Sequence, residues 1–552
     1  MTRSDRKPPG HQDAGRSREA GSLESPRIRA AAFVLALDAL LVLAGQVERD
    51  LTSIDDLREA EVAREMFRSG DFVVPHLAGL PFLEKPPGYP AVVATAYGIA
   101  GKPSVPAARL VSAAFALAAL AAVFLLGRRA WGVAGGAAAA TALALSVMFV
   151  RTSHEILLDN ALTACVAWAL FFAWRGLDST DARRKRESYA GAAFAAGLSF
   201  LMKGLVGPAI LAAGLLLYLV AARRWRELKW ALHPLVLLAF LAPVAAWVVP
   251  FLRQATPEQR HEFFVSNHLG RAAQAYASHD RPPWHYLATI WYRFAPGALV
   301  LPLAVAAAWR GRRDSAAFFA LCMSVGPLLL LSASRAKCDV YLLPAYPAFA
   351  ALVAGWVVGV RNRAALAAGP LAAAAAAGGT VVFAGIRGGL CPAFVIGALV
   401  LACGLAALPA VLRRREPSSA GVLTAALLVL IGVLAVTGPV AQLDIERQAG
   451  WRPGVRVAIE AGAGREILLY RPDDRIRGAF GFYRDRTAPE VVDEGDLVGR
   501  LAASGSVAVT PSDAGGIPKA VLDAAAARGI VLREELRVGY HKGWLVLFRA
   551  VR

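Results

Sequence analysis

Long apolar runs recur from Ile28 to Val440, and short charged segments close them off. A helix needs about 20 predominantly apolar residues to cross the hydrocarbon core of a bilayer, and inside it the backbone must satisfy its own polar groups. On that criterion the sequence predicts spans near 28–47, 108–127, 133–150, 156–175, 189–204, 205–221, 231–252, 286–308, 315–333, 341–360, 364–384, 391–411 and 419–440. The expected fold is an α-helical polytopic membrane protein of about thirteen crossings. The run 87–101 is apolar but short and reads as an interfacial or re-entrant helix.

The basic residues order these spans. Arg128-Arg129, Arg183 to Arg186, Arg223-Arg224, Arg310 to Arg313, Arg361 to Arg363 and Arg413 to Arg415 each follow an even-numbered run. Cytoplasmic loops carry the excess of Lys and Arg, so these clusters are expected inside, together with the N-terminus. The polar loops 48–107, 253–285 and 334–340, and the span ends at Arg151–Asp159 and Lys203, then fall outside. Lys and Arg number 60 against 41 for Asp and Glu, a formal charge of +19. Because the excess sits in short clusters between apolar runs, it argues against nucleic-acid binding. Residues 1–27 are polar and charged and read as a disordered cytoplasmic tail. Residues 28–443 form the expected transmembrane catalytic domain. From Asp444 the pattern changes: EILLYR, GFYRDR, SVAVTP and GWLVLFRA read as strands and PKAVLDAAAARGI as a helix. Residues 444–552 are therefore expected to form a small soluble α/β domain on the outer side. The five cysteines, Cys165, Cys322, Cys338, Cys391 and Cys403, have no metal-ligand spacing and read as packing residues.

The chemistry concentrates after the first run, between Asp55 and Tyr89. Charged groups at a bilayer are costly unless they act on something. A carboxylate at Asp55 or Asp56 can accept a proton from an acceptor hydroxyl or stabilise positive charge on a sugar ring; alternatively, Ser53 or Asp55 caps the helix that LREAEVAREM predicts. Arg58, Lys85, Lys203, Arg271 and Lys337 fall on one expected side. Several such cations together neutralise a phosphate leaving group, whereas each alone could merely reach for lipid headgroups. A second acid, Asp159, follows Arg151, His154 and Glu155 and is either functional or part of a structural ion pair. His261, His268, His279 and His285 match no compact ligand motif, so no metal is expected from them. Glu84 with His268 is the one weak candidate for a divalent cation. Tyr276, Trp284 and Tyr286 suit an aromatic belt or a stack on a sugar.

The segment REAEVAREMFRSGDFVVPHLAGLPFLEKPP after Asp55, the run RLVSAAFALAALAAVFLLGRRAWG, the Arg151 to Asp159 segment, FLMKG, NHLGR and SASRAKCDVYLLPAYPAFA follow one another in this order. In this the chain resembles the polyprenyl-phosphate-dependent glycosyltransferases, which include bacterial aminoarabinose transferases of lipid A and, more distantly, protein O-mannosyltransferases. The resemblance implies thirteen spans, juxtamembrane periplasmic helices and a soluble C-terminal domain in the bacterial inner membrane, with the active site facing the periplasm. It implies inverting transfer of a sugar from an undecaprenyl-phosphate-linked donor to lipid A, a glycan or a protein, with membrane lipids as surroundings. It makes Asp55 the principal catalytic carboxylate and Asp159 a second functional acid. It assigns Arg58, Lys85, Lys203 and Arg271 to the donor phosphate or the acceptor, Glu84 to substrate binding, and Tyr341 and Tyr346 to the lipid cavity, with Lys337 at the substrate-binding basic position before them. The chain departs from the family pattern at Asp56, where Glu is usual, at Glu59, where Tyr is usual, and at Gly88-Tyr89-Pro90, which replaces Leu-x-Tyr-Trp. The rival expectation is a transporter or flippase that moves a lipid-linked sugar without cleaving a bond.

Overall fold

The computed structural model describes residues 28–47, 50–270, 280–359 and 451–551, less single or paired positions within them. The tail 1–27, the expected spans 364–384, 391–411 and 419–440, and Arg271 lie outside the described residues.

Among the described residues, five helices are long and apolar enough to cross a membrane: Val105–Ala144, Leu158–Leu177, Pro234–Gln254, Ala316–Ala333 and Asp339–Gly359. Ala31–Leu43 and Val206–Ala221 are apolar but shorter. Ala182–Lys203 starts earlier than its apolar residues do, because Asp181 caps it and the Arg183 to Arg186 cluster forms its first turn. Val105–Ala144 is two helices meeting at Trp131 and Gly132, where Gly132 takes φ 75°, a conformation that other residues reach with difficulty. The break falls between the expected spans 108–127 and 133–150.

The expected span 286–308 is different. It is a pair of helical segments, His285–Arg293 and Gly297–Arg310, bent by 116°. Pro296 sits in the break, where it offers no N–H and disfavours helical geometry in the residue before it.

Two segments expected in separate polar loops meet. Asp280 bridges to Ala336, and the Arg281 N–H donates to the Arg335 carbonyl. Asp339 takes His285 at 2.7 Å and the Arg293 Nε at 2.8 Å.

The C-terminal residues build a five-stranded mixed sheet in the order Glu490–Val491, Ile467–Tyr470, Val507–Ser512, Gly543–Val551, Val531–Tyr540. The first three strands are parallel and the last two antiparallel. Alternation sorts the side chains to two faces. Leu468, Tyr470, Val546 and Phe548 pack with Leu497, Val498 and Val521 of the helices Glu494–Ser504 and Lys519–Ala526. Ile467, Leu469, Val507, Val509 and Leu547 join the main core through Val455, Ala458 and Phe480. GFYRDR, expected as a strand, lies at the end of the helix Asp474–Arg484 and just beyond it. The Asp473 carboxylate accepts the Arg475 and Ile476 N–H groups and starts that helix. Its inner face lies against the helix Ile54–Ser69 so closely that a Cβ on Gly481 would fall 1.9 Å from the Glu61 carboxylate. Two ionic contacts seal the junction. Arg64 lies 3.5 Å from Asp485, and the Arg68 Nε donates to Asp485 at 3.0 Å.

Candidate functional site

The helix Ile54–Ser69 separates the two adjacent acids into different tasks. Ser53 is its N-cap: the Asp56 N–H donates to the Ser53 hydroxyl at 2.9 Å, and the Ser53 N–H donates back to the Asp56 carboxylate at 3.2 Å. This is a capping box with Asp in the third position. The other Asp56 oxygen accepts the Ile156 N–H at 2.6 Å, and Arg109 lies 3.4 Å from the first. Arg109 is itself buried and donates to the backbone carbonyls of Asp50 and His154. Asp56 is therefore a structural node that ties the start of this helix to two other segments. Asp55, one position earlier, takes no part in the cap. It is 36% exposed and pairs with Arg58 at 2.5 Å.

Arg58 is the centre of an acidic group. Besides Asp55, Glu84 lies 3.7 Å and Asp474 3.9 Å from its guanidinium, and Phe82 stacks at 5.4 Å. Burial works against its charge, but Asp55, Glu59, Glu84 and Asp474 together hold the guanidinium above its usual range. Lys85 pairs with the buried Glu59 at 3.2 Å. The two prolines after Lys85 fix their own φ angles and lead into the helix Gly88–Ala100.

At Gly88 this helix touches the end of Ala182–Lys203: a Cβ there would stand 2.5 Å from the Leu201 carbonyl oxygen. The bare glycine thus brings Lys85 and Lys203 to neighbouring segments. Gly88→Ala is expected to cost roughly 1–3 kcal/mol through overpacking; a wild-type melting temperature would contradict this.

Lys203 holds the second acid, Asp159, at 2.5 Å, and its ammonium lies 4.5 Å from the centre of the Tyr341 ring. Cys338 sits beside them. Burial pushes its thiol up, Lys203 pulls it back, and Asp159 and Asp339 add to the rise. Arg151 pairs with Glu155 at 2.9 Å and lies in the field of Asp339. Burial pushes the Glu155 carboxyl up and Arg151 opposes this, while Asp56 and Asp55 raise it further. Glu155 thus lies in the field of the Asp55 and Asp56 pair, and Arg151 in that of Asp339.

Of the residues expected from sequence, the structure brings Asp55, Arg58, Glu84 and Lys85 together, and separately Asp159, Lys203 and Tyr341. Lys337 is buried and donates to the carbonyls of Arg281, at 3.0 Å, and Ser334, so it fastens these two segments together. Tyr346 is a core residue, its ring packed on Phe294 and Phe349. Among the described residues, no group of three or more His, Cys, Asp or Glu could hold a metal ion.

Sequence reasoning singled out neither Arg109 nor Asp474, which no local pattern connects to Arg58. It noticed Glu59 as a departure without seeing that it would pair with Lys85.

A family model described as dolichyl-phosphate-mannose-protein mannosyltransferase matches residues 84–247. An undecaprenyl phosphate-alpha-4-amino-4-deoxy-L-arabinose arabinosyl transferase of Edwardsiella ictaluri is 32% identical over 305 residues, 55% of either chain. A second, from Sodalis glossinidius, is 32% identical over 337 residues, 60% of either chain. The chain thus spans 55–60% of the length of these curated relatives. The crystal structure of ArnT from Cupriavidus metallidurans bound to undecaprenyl phosphate superposes with a TM-score of 0.76 at 20% identity, over 94% of this chain and 97% of that one. That likeness is one of fold. The resemblance to polyprenyl-phosphate glycosyltransferases read from the motifs is borne out.

Proposed function

We propose, from a shared fold with ArnT and a shared set of motifs, that this chain is an inverting glycosyltransferase of the inner membrane. It moves a sugar from an undecaprenyl-phosphate-linked donor to lipid A, a glycan or a protein at the periplasmic face. In this reading the catalytic domain is 28–443, with about thirteen crossings, and 444–552 is a periplasmic domain. The observation that carries the proposal is the grouping of a partly exposed Asp55 with Arg58, Glu84 and Lys85 around one helix start.

Arg58, Lys85 and Lys203 supply positive charge for the donor phosphate, and a preorganised cation stabilises the charge that grows as the phosphate leaves. The acceptor oxygen attacks the anomeric carbon from the opposite face. The bond between that carbon and the phosphate oxygen breaks, and its electron pair departs with the undecaprenyl phosphate. Asp55 takes the proton of a hydroxyl acceptor; with a phosphate acceptor no proton need move, and Asp55 positions or stabilises instead. Asp159 holds Lys203 in place and orients it.

Glu59 competes with the donor phosphate for Lys85. Glu59→Gln should free the ammonium and lower the donor KM by about fivefold, the worth of a modest ion pair. An unchanged or higher donor KM would remove this competition from the account. The function as a whole is tested by mass spectrometry of envelope lipids and glycoproteins with and without the gene. A sugar modification that disappears on deletion and returns with the wild-type chain supports it; identical profiles oppose it.

A further inference from the structure

The helices that carry Asp159 and Lys203 have a second lined space at their other ends. Leu158–Leu177 starts beside Asp159 and finishes before Asp178, while Ala182–Lys203 starts near Lys185 and finishes at Lys203. Helices of this length place the two ends roughly 27–30 Å apart. There, a crevice of about 260 Å³ opens between these two helices, Val206–Ala221 and Pro234–Gln254. Its walls are apolar, among them Leu170, Ala192, Leu211, Ala212, Leu215 and Phe240. Beside it lies a polar basin of about 570 Å³, lined by Asp178, Ser179, Thr180, Lys185 and Arg224; Leu177 lines both spaces.

The charges at the junction favour an anion. Glu227 takes Lys185 at 2.6 Å, Tyr189 at 2.8 Å and Arg224 at 3.3 Å, so one carboxylate serves two cations. Asp178 is matched by Arg129 at 2.9 Å. Arg183, Arg184, Arg186, Arg223 and Arg226 follow closely in sequence, against Asp181 and Glu187. The short turn Trp225–Trp230 that carries Glu227 exposes Trp225 and Leu228, the composition of a membrane-water boundary. Trp174 also lines the basin, and its indole N–H finds no acceptor among the described residues.

An apolar crevice continuous with a basic basin at the end of membrane helices has the shape and charge of a lipid: a chain on one side, a phosphate on the other. We propose that this end binds an anionic membrane lipid, with one chain in the crevice and the phosphate on Lys185 and Arg224, remote from the Asp55 group. The proposal stands on this geometry and does not depend on the transferase reading.

The test uses the full chain in nanodiscs of phosphatidylcholine mixed with phosphatidylglycerol, with retained lipid counted by native mass spectrometry. The wild type should retain phosphatidylglycerol over phosphatidylcholine by about fivefold or more, given the effect of one or two basic side chains at a membrane surface. Two variants probe the halves. Ala212→Phe fills the crevice from a partly exposed position, and Lys185→Gln removes a cation while leaving Glu227 paired with Arg224 and Tyr189. Each should bring phosphatidylglycerol down to the phosphatidylcholine level without changing the melting temperature in detergent. Inorganic phosphate alone should not raise that melting temperature. Equal retention of the two lipids by the wild type would overturn the proposal. So would unchanged retention in both variants, or stabilisation by free phosphate equal to that by the lipid.

Discussion

Asp55→Asn is expected to give a folded, membrane-inserted protein that transfers sugar about 10²–10⁴-fold more slowly than the wild type. The substitution keeps the shape of the side chain and removes the charge and the basicity. Its structural cost is small because Asp55 contributes nothing to the helix cap. It pairs with Arg58, which keeps Glu84 and Asp474 within 4 Å. The measurement is kcat/KM with purified donor and acceptor, alongside the melting temperature. Loss of rate at constant stability supports the assignment. Full turnover would take Asp55 out of the chemistry.

Asp56→Ala is expected to do the reverse. Asp56 is 0% exposed and joins the Ser53 cap, the Ile156 backbone N–H and the buried Arg109. Truncating it leaves the Arg109 guanidinium buried without its carboxylate and strips the acceptor from the buried Ile156 N–H. Removing one partner of a buried ion pair costs about 3–5 kcal/mol, a large part of the stability of a typical domain. The expected result is poor accumulation and a sharply lowered melting temperature. A variant of normal yield and stability but no activity would mean that the roles of the two acids have been assigned the wrong way round.

These adjacent residues show how far the sequence could be read. The acid pair stood out because charges beside apolar runs are costly, and Ser53 announced a helix start. Which acid served the cap was not legible, because the second half of the answer lies at Arg109 and Ile156, 53 and 100 residues further along the chain. The five long apolar helices among the described residues were legible from length and hydropathy, and the break at Trp131-Gly132 from the charged turn before it. The bend within 286–308 was not, since hydropathy averages over a single proline. GFYRDR looked like a strand from its aromatic residues, and its helix is set by a cap at Asp473 and by packing of Gly481 on Glu61. Asp474 reaches Arg58 only through that same docking. Local pattern thus gave the elements and the first acid group, and tertiary contacts supplied its remaining partners.

The most direct test of the central claim is to count products in proteoliposomes that contain the purified chain, an undecaprenyl-phosphate-linked sugar and an acceptor. The account predicts one undecaprenyl phosphate released for each acceptor glycosylated, with the anomeric configuration inverted, and neither product with Asp55→Asn. Movement of the intact lipid-linked sugar across the bilayer, with no undecaprenyl phosphate released, would contradict it.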